Sequence, residues 1–202
     1  MKKYIIIIVV NKTSKTTMTI PNYLLNNFLS FCDLSSRANH SSNKNSSFRF
    51  PTPQFLIDNY DFPDLDLHIS EATITKISNF HGVPIDFLKK LPTIFSEHEE
   101  YISYIFKSNT QEDSSVVCTF DFVGSKPIII AIKKNKQINT DDYVNSIASI
   151  YEKDNAEVIF KEWKRKGLLL YKNPKKDLIF PVKEPIIKEK RKIRTQQLEQ
   201  KD

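Results

Sequence analysis

The chain has 202 residues, 40% of them apolar and 11% aromatic, which is enough for one compact domain with extensions and a substantial core. Only three Gly are present, with no GxGxxG or Walker-type spacing, which excludes a Gly-rich phosphate loop; two distant cysteines, Cys32 and Cys118, exclude a disulfide framework and a cysteine-held zinc site. The net charge of +6 is unevenly spread, with fourteen Lys/Arg against six Asp/Glu from residue 161 onward and four against twelve between residues 57 and 122. A basic end on an acidic body suits a polyanion binder, and also an ordinary solvated tail.

At the start, Lys2 and Lys3 precede an apolar run from Tyr4 to Val10. No small-residue cleavage site follows, and the run is far short of the roughly 20 residues that span a bilayer, so its β-branched composition reads as a strand. The expectation is a soluble chain with no membrane span, working in the cytoplasm of a producing or target cell, with export as the alternative. A short helix is predicted over Pro21–Phe31, then a Ser/Asn-rich linker over 34–47. Pro51, Pro53 and Pro63 make the stretch from Phe50 to Leu67 extended. Residues 1–66 thus form a variable N-terminal region.

From Ile69 the signals sharpen. Ser70 caps a helix with Glu71 in its first turn; Ile74, Ile77 and His81 share a face, and Gly82 terminates it. Pro84–Lys90 is a second short helix, broken at Leu91-Pro92, and Thr93–His98 adds a turn. The period then changes to two over Tyr101–Lys107, Ser115–Phe122 and Pro127–Lys133, the last two pairing around Gly124-Ser125. Cys118, inside this pattern, reads as a small buried hydrophobe.

The stretch Asn139–Lys153 is predicted to be the central amphipathic helix. Thr140 would cap it, with Asp141 and Asp142 in the first turn; Val144, Ile147, Ala148 and Tyr151 would form its apolar stripe, and Asp142, Asn145, Ser149 and Lys153 its polar side. A helix over Ala156–Lys166 carries Trp163 and ends at Gly167. Strands follow at Leu168–Tyr171 and Asp177–Val182, then a basic tail over 183–202. The sum is an α+β fold, with N-terminal helices before a mainly antiparallel sheet of about four strands and one or two helices packed on one face. Its main domain spans 67–182.

The ordered set Lys76-Ile77 through His81, Leu91-Pro92, Asp121, Lys126-Pro127-Ile128-Ile129, Val144 through Tyr151, Trp163 and Leu169-Leu170-Tyr171 resembles a phage-associated nuclease-like domain of the barnase–EndoU–colicin–RelE grouping. That domain is found at the C-terminus of phage MuF-type head proteins. The resemblance covers about residues 67–180. It departs at Glu152, where the family often has Gly, and the chain lacks the head-protein part, which suggests a solitary effector, toxin or degenerate copy. The resemblance implies metal-independent cleavage of RNA (tRNA or mRNA) without a cofactor or metal, and an immunity protein or antitoxin as partner.

Such cleavage needs a base for the 2′-OH, an acid for the departing 5′-oxygen, and cations for the phosphorane charge. His81 is the proton-transfer candidate, its ordinary pKa near 6.5 suiting either role. Ser149, Lys153 and Tyr171 complete the catalytic set, and Tyr151, Lys172, Lys175 and Lys176 are the RNA-binding candidates. His40 in the linker, and His68 and His98 in loop-like surroundings, read as solvated polar residues. Plain structural roles fit too: His81 as a helix-end cap, Ser149 and Lys153 as a solvated face, Tyr151 as core, and the lysines as a solubilising turn. The rival functions are an inactive relative binding nucleic acid or a protein partner, and a phage structural accessory.

Overall fold

The computed structural model describes residues 21–37 and 46–181. The predicted strand at 4–10, most of the Ser/Asn-rich linker and the basic tail lie outside the described residues. Helix α1 (Asn22–Arg37) buries Phe28 and Cys32. Strands β1 (Ser47–Pro51) and β2 (Asp66–Ser70) pair antiparallel, and α2 (Gln54–Tyr60) lies between them. The prolines mark where regular structure changes: Pro51 ends β1, and Pro53 precedes α2.

Helix α3 (Glu71–Phe80) begins as the sequence predicts, with the Ser70 hydroxyl accepting the Thr73 N–H at 3.2 Å. Gly82 follows at φ +66°, where a side chain would be strained. Helix α4 (Ile85–Lys89) starts after Pro84, and Leu91-Pro92 opens α5 (Leu91–Ser96) before the single turn α6 (His98–Tyr101). Strands β3 (Ile102–Lys107), β4 (Ser114–Val123), β5 (Lys126–Asn139) and β6 (Asp142–Glu152) then run as an antiparallel meander. Helix α7 (Ala156–Arg165) and the short β7 (Leu169–Lys172) complete the elements.

The sheet has seven strands in the order β1-β2-β6-β5-β4-β3-β7, more than the four predicted. Among the described residues its one parallel pair is β2 with β6. Helices cover both faces, not one. Ile128, Ile130 and Ile132 of β5 pack with Ile74, Leu88 and Phe95, whereas Ile129 between them packs with Phe106 and Phe160 on the α7 side. Alternate side chains of a strand point to opposite faces, so the unbroken apolar run in β5 serves two cores.

The predicted central helix is a strand. Thr140 and Asp141 turn the β5–β6 hairpin, with Asp141 at φ +58°. Ile132 pairs with Ile147 and Ala131 with Ser149, so Ala148 is an extra residue in the ladder, a β-bulge. The bulge lets Ile147 and Ile150, three apart, enter the same core. The predicted stripe of Val144, Ile147, Ala148 and Tyr151 is divided here: Ile147 enters the α3-side core, Tyr151 packs on the α7 side, and Ala148 is exposed. Asn145, placed on the predicted polar side, is fully buried. Residues 177–181 form no strand, although Leu178 is anchored in the α7-side core.

Candidate functional site

Helix α3 delivers His81 to the edge of β6. Strand β2 pairs with β6 only at Asn145 and Ser146, and the chain then turns into α3, which packs beside the rest of β6. His81 closes α3 by donating its backbone N–H to the Ile77 carbonyl at 3.2 Å, and its ring lies 6.1 Å from the ring of Tyr151. Burial, helped by the charge of Lys76, lowers the imidazole pKa, so the ring is neutral at pH 7. A Cβ built on Gly82 would stand 3.6 Å from a carboxylate oxygen of Glu152.

Strand geometry changes the company these residues keep. On a helix Ser149 and Lys153 would share a face that excludes Tyr151; on β6 and its continuation the spacing of two puts all three on one face. Ser149 pairs with Ala131 and Tyr151 with Ile129, while Lys153 donates its N–H to the Pro127 carbonyl at 2.9 Å. The Lys153 ammonium lies 5.3 Å from the centre of the Trp163 ring. Burial raises the Tyr151 phenol pKa, so it stays protonated.

Three charged residues outside the predicted site meet at this end of β6. Lys126, at the start of β5, reaches Glu152 at 3.3 Å and Asp154 at 2.9 Å. A hollow of about 490 Å³ opens beside them, lined by Lys126, Lys153, Asp154, Glu157 and Phe180 among others. Lys126 opens the Lys-Pro-Ile-Ile run on which the resemblance rests, and Glu152 is the departure from it; both were visible in the sequence without a role.

The remaining predicted residues lie elsewhere. Strand β7 is four strand intervals from β6, roughly 19 Å. Tyr171 packs against Tyr60 at 6.0 Å between ring centres, on the side of the sheet away from α7. Its hydroxyl is buried without a hydrogen-bond partner, and burial pushes its pKa up to about 12. Lys172 pairs with Asp177 at 2.7 Å and Lys175 with Glu99, while Lys176 sits 4.1 Å over Phe120 and 3.9 Å from Glu100. Buried Asn173 organises this turn, donating to the Glu99 and Ile102 carbonyls and accepting from the N–H groups of Lys175 and Lys176. The basic turn is therefore tied down by acidic partners and is not grouped with His81.

Two of the histidines expected to be solvated, His68 and His98, are packed. His98 stacks on Phe55 with ring centres 3.8 Å apart. His68 is buried in β2, its Nδ1 3.5 Å from the Ser146 hydroxyl, and burial lowers its pKa. Nearby, Asp142 takes a bidentate bond from Arg49 at 3.0 and 2.7 Å, a long-range pair in place of the expected helix-dipole contact. Cys118 is fully buried and its thiol is pushed up to about 12, so it is no thiolate nucleophile.

Among the described residues no three His, Cys, Asp or Glu side chains are grouped to hold a metal, and no helix is long and apolar enough to cross a membrane. No curated protein and no solved structure shows a significant match to the chain. The family model of the phage MuF C-terminal domain matches residues 74–177, slightly more than half of the chain. That segment begins in α3 and ends just beyond β7, so it contains His81, Lys126, Ser149, Tyr151, Glu152 and Lys153. By this match the chain belongs to the phage MuF C-terminal domain family.

Proposed function

We propose that this phage-family protein is an effector or toxin that cleaves RNA without a metal. The reading is supported by the neutral His81 imidazole, whose ring centre lies 6.1 Å from that of Tyr151, and by two lysines at the same end of β6: Lys153 on its continuation and Lys126 bonded to Glu152. His81 accepts the proton of a ribose 2′-OH as that oxygen attacks phosphorus. The bond from phosphorus to the 5′-oxygen breaks, and Tyr151 donates its proton to the leaving oxygen. The products are a 2′,3′-cyclic phosphate and a 5′-hydroxyl. Lys126 and Lys153 offset the charge that gathers on the phosphoryl oxygens, and Ser149 donates to one of them.

The test uses a labelled mixed-sequence ribo-oligonucleotide in EDTA. The wild-type chain is expected to cut it, and His81→Ala to lose about 10²–10⁴-fold in rate while circular dichroism stays unchanged. Equal cutting by both chains, or none by the wild type, contradicts the proposal. A second reading, an inactive relative that binds nucleic acid or protein, is favoured by one observation: Glu152 and Asp154 already occupy Lys126. Salt-sensitive RNA binding without any cutting supports it.

A further inference from the structure

The two lysines of the proposed site are held differently. Lys153 meets no carboxylate within ion-pair distance among the described residues, and its ammonium lies 5.3 Å from the centre of the Trp163 ring. Lys126 is shared by two carboxylates, Asp154 at 2.9 Å and Glu152 at 3.3 Å. One ammonium between two carboxylates leaves a net negative charge at that point, which opposes the approach of a phosphate.

The two carboxylates are not equivalent. Glu152 ends β6 opposite Ile128, and its side chain is 24% exposed. The oxygen that does not meet Lys126 lies 3.6 Å from where a Cβ on Gly82 would stand. Glu152 therefore sits between the start of β5 and the residue that follows His81. Asp154 lies beyond the end of β6, its side chain is 76% exposed, and it lines the 490 Å³ hollow together with Lys126 and Lys153. An ion pair this exposed is held weakly, because water screens it and competes for both partners. A phosphoryl group in the hollow has only Asp154 to displace, and Glu152 keeps the ammonium in place when Asp154 leaves.

We propose that Asp154 is a self-inhibiting carboxylate: it takes on Lys126 the place of a substrate phosphate, and substrate binds by displacing it while Glu152 retains the ammonium. The inference rests on the RNA reading above and adds the regulation of that same site. The cost of displacement falls on substrate binding and not on the chemical step. A Lys126 engaged by its own chain is then the resting form of a working site.

The experiment reads phosphate binding and cutting separately. Inorganic phosphate is titrated into the full chain at pH 7 and low salt, followed by the NMR amide signals of residues 153–157. Asp154→Asn keeps the shape and removes the charge. It is expected to bind phosphate about tenfold more tightly than the wild type, with the difference shrinking as salt is raised. Glu157→Gln is the control, because Glu157 lines the same hollow but is paired with Lys161 at 2.9 Å. It should change the affinity by less than about twofold. Adding Lys126→Met to Asp154→Asn should abolish the gain. With RNA as substrate, Asp154→Asn should lower KM and leave kcat alone. Equal or weaker phosphate binding by Asp154→Asn, an equal gain in Glu157→Gln, or a gain that survives Lys126→Met overturns the proposal. A chain that shows the expected phosphate pattern yet cuts no ribo-oligonucleotide keeps the displaceable carboxylate and loses the cleavage mechanism. Cutting with the same KM before and after Asp154→Asn does the reverse.

Discussion

The base role proposed for His81 needs a neutral ring, and its surroundings favour that form. Burial disfavours the imidazolium, and the charge of Lys76 one helical turn and a residue away works in the same direction. The acid limb of the pH–rate profile for RNA cleavage should therefore fall at a pH below the ordinary histidine value of about 6.5. Lys76→Gln removes the electrostatic part and leaves burial, so the limb should move to higher pH. An NMR titration of the His81 ring in both chains measures the same shift directly; an unchanged or lowered pKa in the variant would show that Lys76 does not act on the ring. In the sequence His81 was singled out by its place in the family pattern, as the histidine at a matched position. Tyr151 was named as an RNA contact, but the helical reading put it on a different face from Ser149 and Lys153, and nothing in the sequence placed it beside His81.

At the scale of elements, β6 is held by a buried polar group at its middle. Asn145 donates to the Thr52 hydroxyl at 3.0 Å and the Pro63 carbonyl at 2.9 Å, and its own side-chain oxygen lies 3.4 Å from the N–H of Asn135. Asn145→Ala should cost about 1–3 kcal/mol in denaturant unfolding, because the abandoned partners stay buried. A loss well under 1 kcal/mol would mean that water replaces the amide. The adjacent His68 sets a pH dependence. It faces Arg49, Lys136, Asp142 and the Ser146 hydroxyl, and its pKa in the folded chain is lowered, first by burial and then by Arg49 and Lys136. The unfolded chain then binds a proton more readily, so this contribution to stability is present above about pH 6.5 and is lost as pH falls through the lowered folded value. His68→Gln should flatten part of that slope; His81 and His98, shifted the same way, retain the rest. An unchanged slope would place the effect elsewhere.

The elements that could be read from the sequence were those whose periodicity reflects one environment. The hairpin at Gly124-Ser125, the cap at Ser70 and the helix with Trp163 each follow from residues a few positions apart. Strand β6 could not be read that way. It is buried on both faces over Val144–Ile147, and the bulge at Ala148 imposes a step of three. Local spacing cannot distinguish that from a helical stripe.

For the whole molecule, the assembly of the site depends on contacts between distant parts of the chain. The parallel pairing of β2 with β6 joins residues 78 positions apart and brings α3 beside Tyr151. No short-range pattern announces such a pairing, so the sequence did not show that His81 lies beside Tyr151, and it added Tyr171 and three lysines from the far edge. The α7-side core fixes the other wall. Phe160 is 2% exposed and packs with Phe106, Trp163 and Phe180. Phe160→Ala should destabilise the chain by about 3–5 kcal/mol in the same unfolding assay; a cost below 1 kcal/mol would mean that α7 is not a structural wall of the site.

The most direct test of the proposed cleavage by His81, Tyr151 and the two lysines is the end chemistry of RNA cut by the full chain in EDTA, read by mass spectrometry. A 2′,3′-cyclic phosphate on one fragment and a 5′-hydroxyl on the other, with cutting abolished by a single 2′-deoxy substitution at the cleaved nucleotide, is the expected result. A 5′-phosphate end, indifference to the deoxy substitution, or intact RNA would contradict it.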